Sequence, residues 1–206
     1  MKSIEDILNL INSIVSMVGK EDRIKIALVG GYAAIAHGVE RTTSDADFCV
    51  YTELIHKEGA VAFVDLMDKS MPENFEIRLV EGSRIPDDPF RHDVIFIEDK
   101  SRQYPRIDFI IAKYKWEFEG IEKAGHLEDI AFPVLTKPYL IAMKLKAGSL
   151  KDDYDIAELY DLSDEKERKE TTELAGRIHR DKKLDEIIKR SKAQETQEEP
   201  EEELLK

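Results

Sequence analysis

The chain is poor in cysteine and carries fewer basic than acidic residues, and each shortage removes a class of protein. Its single cysteine, Cys49, among 206 residues excludes an internal disulfide and a zinc site built on several thiolates. No apolar run approaches the ~20 residues that a membrane-spanning helix needs. The N-terminal stretch does not read as a secretory signal. Glu5 and Asp6 fall in its first turn, and its apolar residues recur at helical spacing instead of forming one block. The expectation is a cytoplasmic chain without membrane contact. Lys and Arg number 31 against 44 Asp and Glu, a net charge of −13. Residues 191–206, with six Glu and two Lys, supply −4 of this. The remaining −9 still argues against an extensive nucleic-acid surface, which needs a basic footprint. A small basic pocket stays compatible with it.

What is present is a globular composition, 42% apolar, with no internal repeat. Apolar spacing predicts a helix over 4–18, capped by Ser3. A buried strand is expected at 24–29, then a Gly-Gly break and a short helix over 32–37. Strands follow at 46–51, 75–80, 93–98 and 106–112, with helices at 56–69 and 114–124. The Pro- and Asp-rich stretch 82–92 reads as loop. Beyond Thr136 the strand signal vanishes, and 138–147, 152–162 and 165–189 read as helices. The expected organisation is a mixed α/β domain over 1–133, a C-terminal helical region over 134–190, and a disordered acidic tail over 191–206.

The chemistry concentrates in residues 28–50. Gly30 and Gly31 follow a buried strand and open a helix, an arrangement that offers bare backbone N–H groups to a phosphate chain or serves only as a turn. Asp45 and Asp47 then begin the next strand. Side chains alternate along a strand, so both acids share one face while Ala46, Phe48 and Val50 face the core. Two carboxylates ~7 Å apart on one face repel unless a cation lies between them, and hard oxygen ligands suit Mg²⁺. The rival reading is two solvated acids at a strand edge, paired with Arg41. Asp108 stands in an apolar run, where an ionised carboxylate needs a metal or a partner such as Arg106. Should its strand lie beside 46–51, three carboxylates converge and can hold two metal ions ~3.5–4 Å apart.

These residues carry a resemblance. Gly-Gly, a spacer of about a dozen residues, Asp-x-Asp, and a later lone Asp on a strand resemble the nucleotidyltransferase superfamily with the DNA polymerase β-type fold. The fuller pattern, Gly30, Gly31, Ala33, His37, Gly38, Arg41, Thr43, Asp45 and Asp47, is similar to the nucleotidyltransferase-like toxins of abortive-infection toxin–antitoxin systems. Lys144, Lys146, Lys151, Asp152 and Asp155 extend it into the helical part. The resemblance implies an α/β (α+β) fold, a mixed and largely antiparallel sheet with helices, followed by a helical portion. It also implies transfer of a nucleoside monophosphate from an NTP to a hydroxyl acceptor (a protein, an RNA end or a small molecule) with release of pyrophosphate. Asp45, Asp47 and Asp108 would be the catalytic and metal-binding residues, with Mg²⁺ or Mn²⁺ as cofactor. Gly30, Gly31, Arg41, Thr43 and Lys144 would contact the nucleotide. An antitoxin-like protein would be a partner.

Each further residue keeps a plain alternative. Arg41 grips phosphate or steadies the two acids. Thr43 meets the phosphate chain or closes the loop. Lys144, amid LIAMKL, reaches a phosphate or snorkels to the surface. Asp152 and Asp155 suit the start of a helix in any case. A chain that binds nucleotide or a partner without turnover is the alternative function, as is a metal-dependent phosphohydrolase.

Overall fold

The computed structural model describes residues 2–17, 24–84, 91–128 and 130–198. The chain separates into two units, one of residues 1–36 and 40–136, the other of residues 37–39 and 137–206. The change of unit at Thr136 falls three residues beyond the expected boundary at 133.

The first unit is built on a seven-stranded sheet. Its strands are β1 (Lys25–Leu28), β2 (Ala46–Tyr51), β3 (Phe75–Val80), β4 (Val94–Asp99), β5 (Ile107–Ile111), β6 (Gly125–Leu127) and β7 (Ile130–Val134), ordered β3-β4-β5-β2-β1-β7-β6. Four neighbouring pairs are antiparallel, while β2–β5 and β1–β7 are parallel. The expected mixed, largely antiparallel sheet is therefore present. Phe48 of β2 pairs in register with Phe109 of β5, and both rings are buried. They meet edge to face at 5.7 Å, and Phe48 meets Phe132 the same way at 5.4 Å. Alternation sends the intervening residues, Asp47 and Asp108, to the opposite face.

Helices complete this unit: α1 (Ile4–Met17), α2 (Gly30–Ala36), α3 (Glu53–Glu58), α4 (Ala60–Ser70) and α5 (Lys115–Lys123). Ile7, Ile11 and Ile14 of α1 and Phe63 and Met67 of α4 are buried. The helix expected over 56–69 is two helices. Thr52 caps α3 by accepting from the Leu54 N–H, and Gly59, at φ +92°, breaks the chain before α4. Strands β6 and β7 were not expected. Pro133 lies within β7 and reads as a breaker, yet the strand is held by the Val134 pairing with Leu28 and by the Leu135 N–H donating to the Leu28 carbonyl. Residues 85–90 of the expected loop lie outside the described residues.

The second unit is helical: α6 (Lys137–Ala147), α7 (Leu150–Asp161), α8 (Glu165–Arg177) and α9 (Asp181–Glu198). Ser149 with Asp152, and Asp164 with Glu167, form reciprocal caps that start α7 and α8. Leu140, Ile141, Ile156, Leu159, Leu174 and Leu184 form its core. The segment read as one helix over 165–189 breaks at residues 178–180, where His179 takes φ +57°. Helix α9 continues to Glu198, so the first half of the acidic stretch expected to be disordered is helical. Residues 199–206 lie outside the described residues.

Candidate active site

The site grows out of the β1–α2 turn and the start of β2. Gly30 has φ +64°, a conformation that side-chain-bearing residues rarely adopt. It also has no room for one, because a Cβ there would lie 1.9 Å from Asp47 Oδ2. A Cβ on Gly31 would lie 2.6 Å from Thr43 Oγ1. The two glycines thus let the acid strand and its entry loop pack directly on the turn, a reason for them that needs no phosphate. The Val29 N–H donates to the Asp47 carbonyl at 2.9 Å and fixes this approach.

On the other side of β2 lies β5, and the parallel register places Asp47 directly against Asp108. The condition set for the acids to converge, that the Asp108 strand lies beside 46–51, holds. Asp108 is buried and Asp47 half-buried. One strand further, Phe96 of β4 pairs with Asp108, and Arg78 of β3 pairs with Phe96. One face of the sheet therefore carries the row Arg78, Phe96, Asp108, Asp47.

Arg106 ties this row to Asp45. Its Nε donates to Asp108 Oδ1 at 2.8 Å and its terminal nitrogen to Asp108 Oδ2 at 2.9 Å. The same terminal nitrogen reaches Asp45 Oδ2 at 3.2 Å. The guanidinium also sits 5.2 Å from the centre of the Phe96 ring, which Arg78 approaches at 4.9 Å. Burial pushes the Asp108 carboxyl above the ordinary range, with the hydrogen bonds and charge of Arg106 opposing and Asp45 and Glu98 adding to the rise. The bonds to Asp108 raise the already high pKa of Arg106.

Three carboxylates are the right donor type for a hard divalent cation such as Mg²⁺ or Mn²⁺. Yet among the described residues no three His, Cys, Asp or Glu side chains are gathered closely enough to hold a metal ion. The cation that links Asp45 to Asp108 is Arg106. The sequence reading paired Arg106 with Asp108 as one option and missed its reach to Asp45. The available signal was the Arg-x-Asp spacing, which sets both side chains on one strand face.

The remaining candidates are placed as follows. Thr43 Oγ1 donates to the Asp45 carbonyl at 3.4 Å, closing the entry loop, and Arg41 Nε donates to the Thr42 carbonyl at 3.2 Å. Lys144, on α6 of the helical unit, does not snorkel. It is 5% exposed, its Nζ donates to the buried Asp155 and lies 3.6 Å from Asp152 Oδ1. Asp152 also accepts from the Ser149 N–H and hydroxyl, the helix-start role expected of it. Cys49 is buried, and burial pushes its thiol far up.

A family model described as nucleotidyl transferase AbiEii toxin, Type IV TA system, matches residues 15–205. The chain belongs to this family. Nucleotidyl transfer and a toxin role come with the AbiEii family, and nucleotidyltransferases of this kind generally use divalent metals. No curated protein matches the chain. Two solved structures of ANT(2'')-Ia resemble it. The solution structure of that antibiotic-resistance factor is 15% identical with a TM-score of 0.42, over 93% of this chain and 94% of that one. Its crystal structure in complex with adenylyl-2"-tobramycin is 13% identical with a TM-score of 0.48, over 84% and 98%. Among the described residues, no helix is long and apolar enough to cross a membrane.

Proposed function

We propose that this AbiEii-family chain transfers a nucleoside monophosphate from an NTP to a hydroxyl acceptor, with Asp45, Asp47 and Asp108 as its metal-holding acids, and that it acts as the toxin of a toxin–antitoxin pair. The observation that carries the reading is the register of Asp47 with Asp108, with the bare Gly30 turn pressed against Asp47. Two buried or half-buried carboxylates facing each other call for positive charge, which Arg106 gives to Asp108 and a divalent ion would give to both. Bound there, Mg²⁺ or Mn²⁺ would supply positive charge to the transferring phosphate. The acceptor oxygen forms a bond to the α-phosphorus as the bond from that phosphorus to the β-bridging oxygen breaks. Pyrophosphate leaves, and the hydroxyl proton passes to Asp108.

Arg41 and Thr43, on the loop entering β2, are the proposed phosphate contacts beside the Gly30–Gly31 backbone. For Lys144 the proposal is a nucleotide role exercised from its carboxylate partners. The test is thermal stability of the full chain with ATP, GTP, CTP or UTP, with and without Mg²⁺. A native-state ligand at a hundred times its dissociation constant adds ~2.7 kcal/mol. The reading expects a Mg²⁺-dependent rise with at least one nucleotide, lost in Asp45→Asn and Asp47→Asn, and pyrophosphate release on turnover. Stability unmoved by any of the four would overturn it.

A further inference from the structure

The position of Arg106 among the acids goes beyond a role in folding. We propose that Arg106 is a displaceable internal counter-ion, which holds Asp108 and Asp45 in place of a divalent cation and must withdraw before a metal ion is gathered there. The inference rests on the metal-dependent reading above and adds a positioning residue to it.

The geometry makes the two cations mutually exclusive at Asp108. The guanidinium fork takes both Asp108 oxygens, at 2.8 and 2.9 Å, and its shared nitrogen takes one oxygen of Asp45 at 3.2 Å. The Asp108 side chain is only 10% exposed, so the fork covers a carboxylate with little other surface. With Arg106 in place both Asp108 oxygens are engaged, so a divalent ion reaches Asp108 only where the fork lets go.

Charge points the same way. Ionised Asp108 and Asp45 carry two negative charges against the single positive charge of the guanidinium between them, so a doubly charged ion matches the pair better. Such an ion interacts with each carboxylate about twice as strongly as a single charge at equal distance. The departing side chain has a seat as well. Arg106 already lies over the Phe96 ring, 5.2 Å from its centre, and its side chain is 42% exposed. It can release the acids and keep that stacking. A purely structural clamp would hold the acids ready for metal, and its loss would weaken metal binding. A competing counter-ion predicts the reverse.

The experiment is titration of the full chain with Mn²⁺, following free Mn²⁺ by electron paramagnetic resonance, alongside thermal unfolding without metal. Arg106→Gln should bind Mn²⁺ roughly tenfold more tightly than the original chain, because a bidentate charge-assisted competitor is gone. It should also melt lower without metal and gain more from Mn²⁺. Arg106→Lys keeps a cation but loses the fork, so its affinity should fall between the two. Should Arg106→Gln not fold, Arg106→Lys alone decides the matter. Affinity equal to or weaker than that of the original chain in either variant overturns the proposal while leaving the metal-dependent reading intact. Absence of Mn²⁺ binding in the original chain and both variants, with or without ATP, overturns both.

Discussion

Asp47 stands directly opposite Asp108 across the parallel pairing of β2 with β5. The two acids differ in what holds them. Asp108 is buried with both oxygens bonded to Arg106, whereas Asp47 is half-buried against the Gly30 turn. Neutralising Asp47 removes a like charge from a facing pair, so Asp47→Asn should cost less stability than Asp108→Asn. Asp108→Asn strips the partner from Arg106 and should cost about 1–3 kcal/mol. Both should lower pyrophosphate release by about a hundredfold or more. Urea unfolding beside a pyrophosphate assay separates these effects. Equal destabilisation by the two changes would mark Asp47 as a structural acid.

The contact between Gly30 and Asp47 makes a second prediction. Gly30→Ala forces a Cβ into a left-handed backbone at φ +64° and to within 1.9 Å of Asp47 Oδ2. The backbone part alone costs on the order of 1–2 kcal/mol, and the clash adds to it. Replacing Asp47 by glycine removes the clash and leaves the backbone strain. In a double-mutant cycle, Gly30→Ala should therefore cost less in the Asp47→Gly background than in the original chain. Strictly additive costs would show that the turn moves away from Asp47 at no expense.

Strand periodicity was readable where apolar runs were long. Both β2 (Ala46–Tyr51) and β3 (Phe75–Val80) occupy their expected residues. It failed for β6 and β7, three and five residues long, one of them interrupted by Pro133. Such strands exist because the sheet recruits them at Val134, a tertiary effect that leaves no local pattern. The site divides in the same way. The spacing of Asp45, Asp47 and Asp108 marked them as unusual, since acids among apolar residues are anomalous on their own. Their arrangement depends on β5 lying parallel to β2, which joins residues 61 apart in the chain, as the Arg106–Asp45 bond shows. Lys144 was likewise legible as an anomaly and not as a pair, because its partner Asp155 stands on the next helix.

Asp99, where β4 ends, gives a pH prediction. Burial alone would raise its pKa, but hydrogen bonds from the Ser101 hydroxyl and the Asn74 amide, then from the backbone N–H groups of Ser101 and Tyr104, hold it well below the ordinary carboxylate range. The folded form therefore releases this proton more readily than the unfolded chain. The stability this provides is complete above the ordinary carboxylate pKa of about 3.9 and is lost as pH falls through the lower folded value. Asp99→Asn should cost on the order of 2 kcal/mol at neutral pH. It should also flatten the fall in stability below about pH 5. Urea unfolding of both proteins between neutral pH and pH 3 measures the difference. Parallel curves would remove Asp99 as the source.

Inside the helical unit, Lys144 and Asp155 form an ion pair with both side chains almost wholly enclosed, 6% and 0% exposed. Enclosing two charges costs several kcal/mol each in lost hydration, and their attraction roughly repays it. Lys144→Met removes the buried cation that Asp155 and Asp152 share and should cost about 3–5 kcal/mol. Removing both asks nothing of hydration, and Lys144→Met with Asp155→Leu should recover most of that loss. Helix content followed by circular dichroism during urea unfolding measures all the variants. The same set separates stability from activity. If the pair only holds α6 to α7, the double variant should regain pyrophosphate release along with stability. If Lys144 also serves the nucleotide, as proposed, the double variant should fold and stay inactive. Asp155→Leu alone should melt less low than Lys144→Met, because Asp152 Oδ1 still lies 3.6 Å from the ammonium.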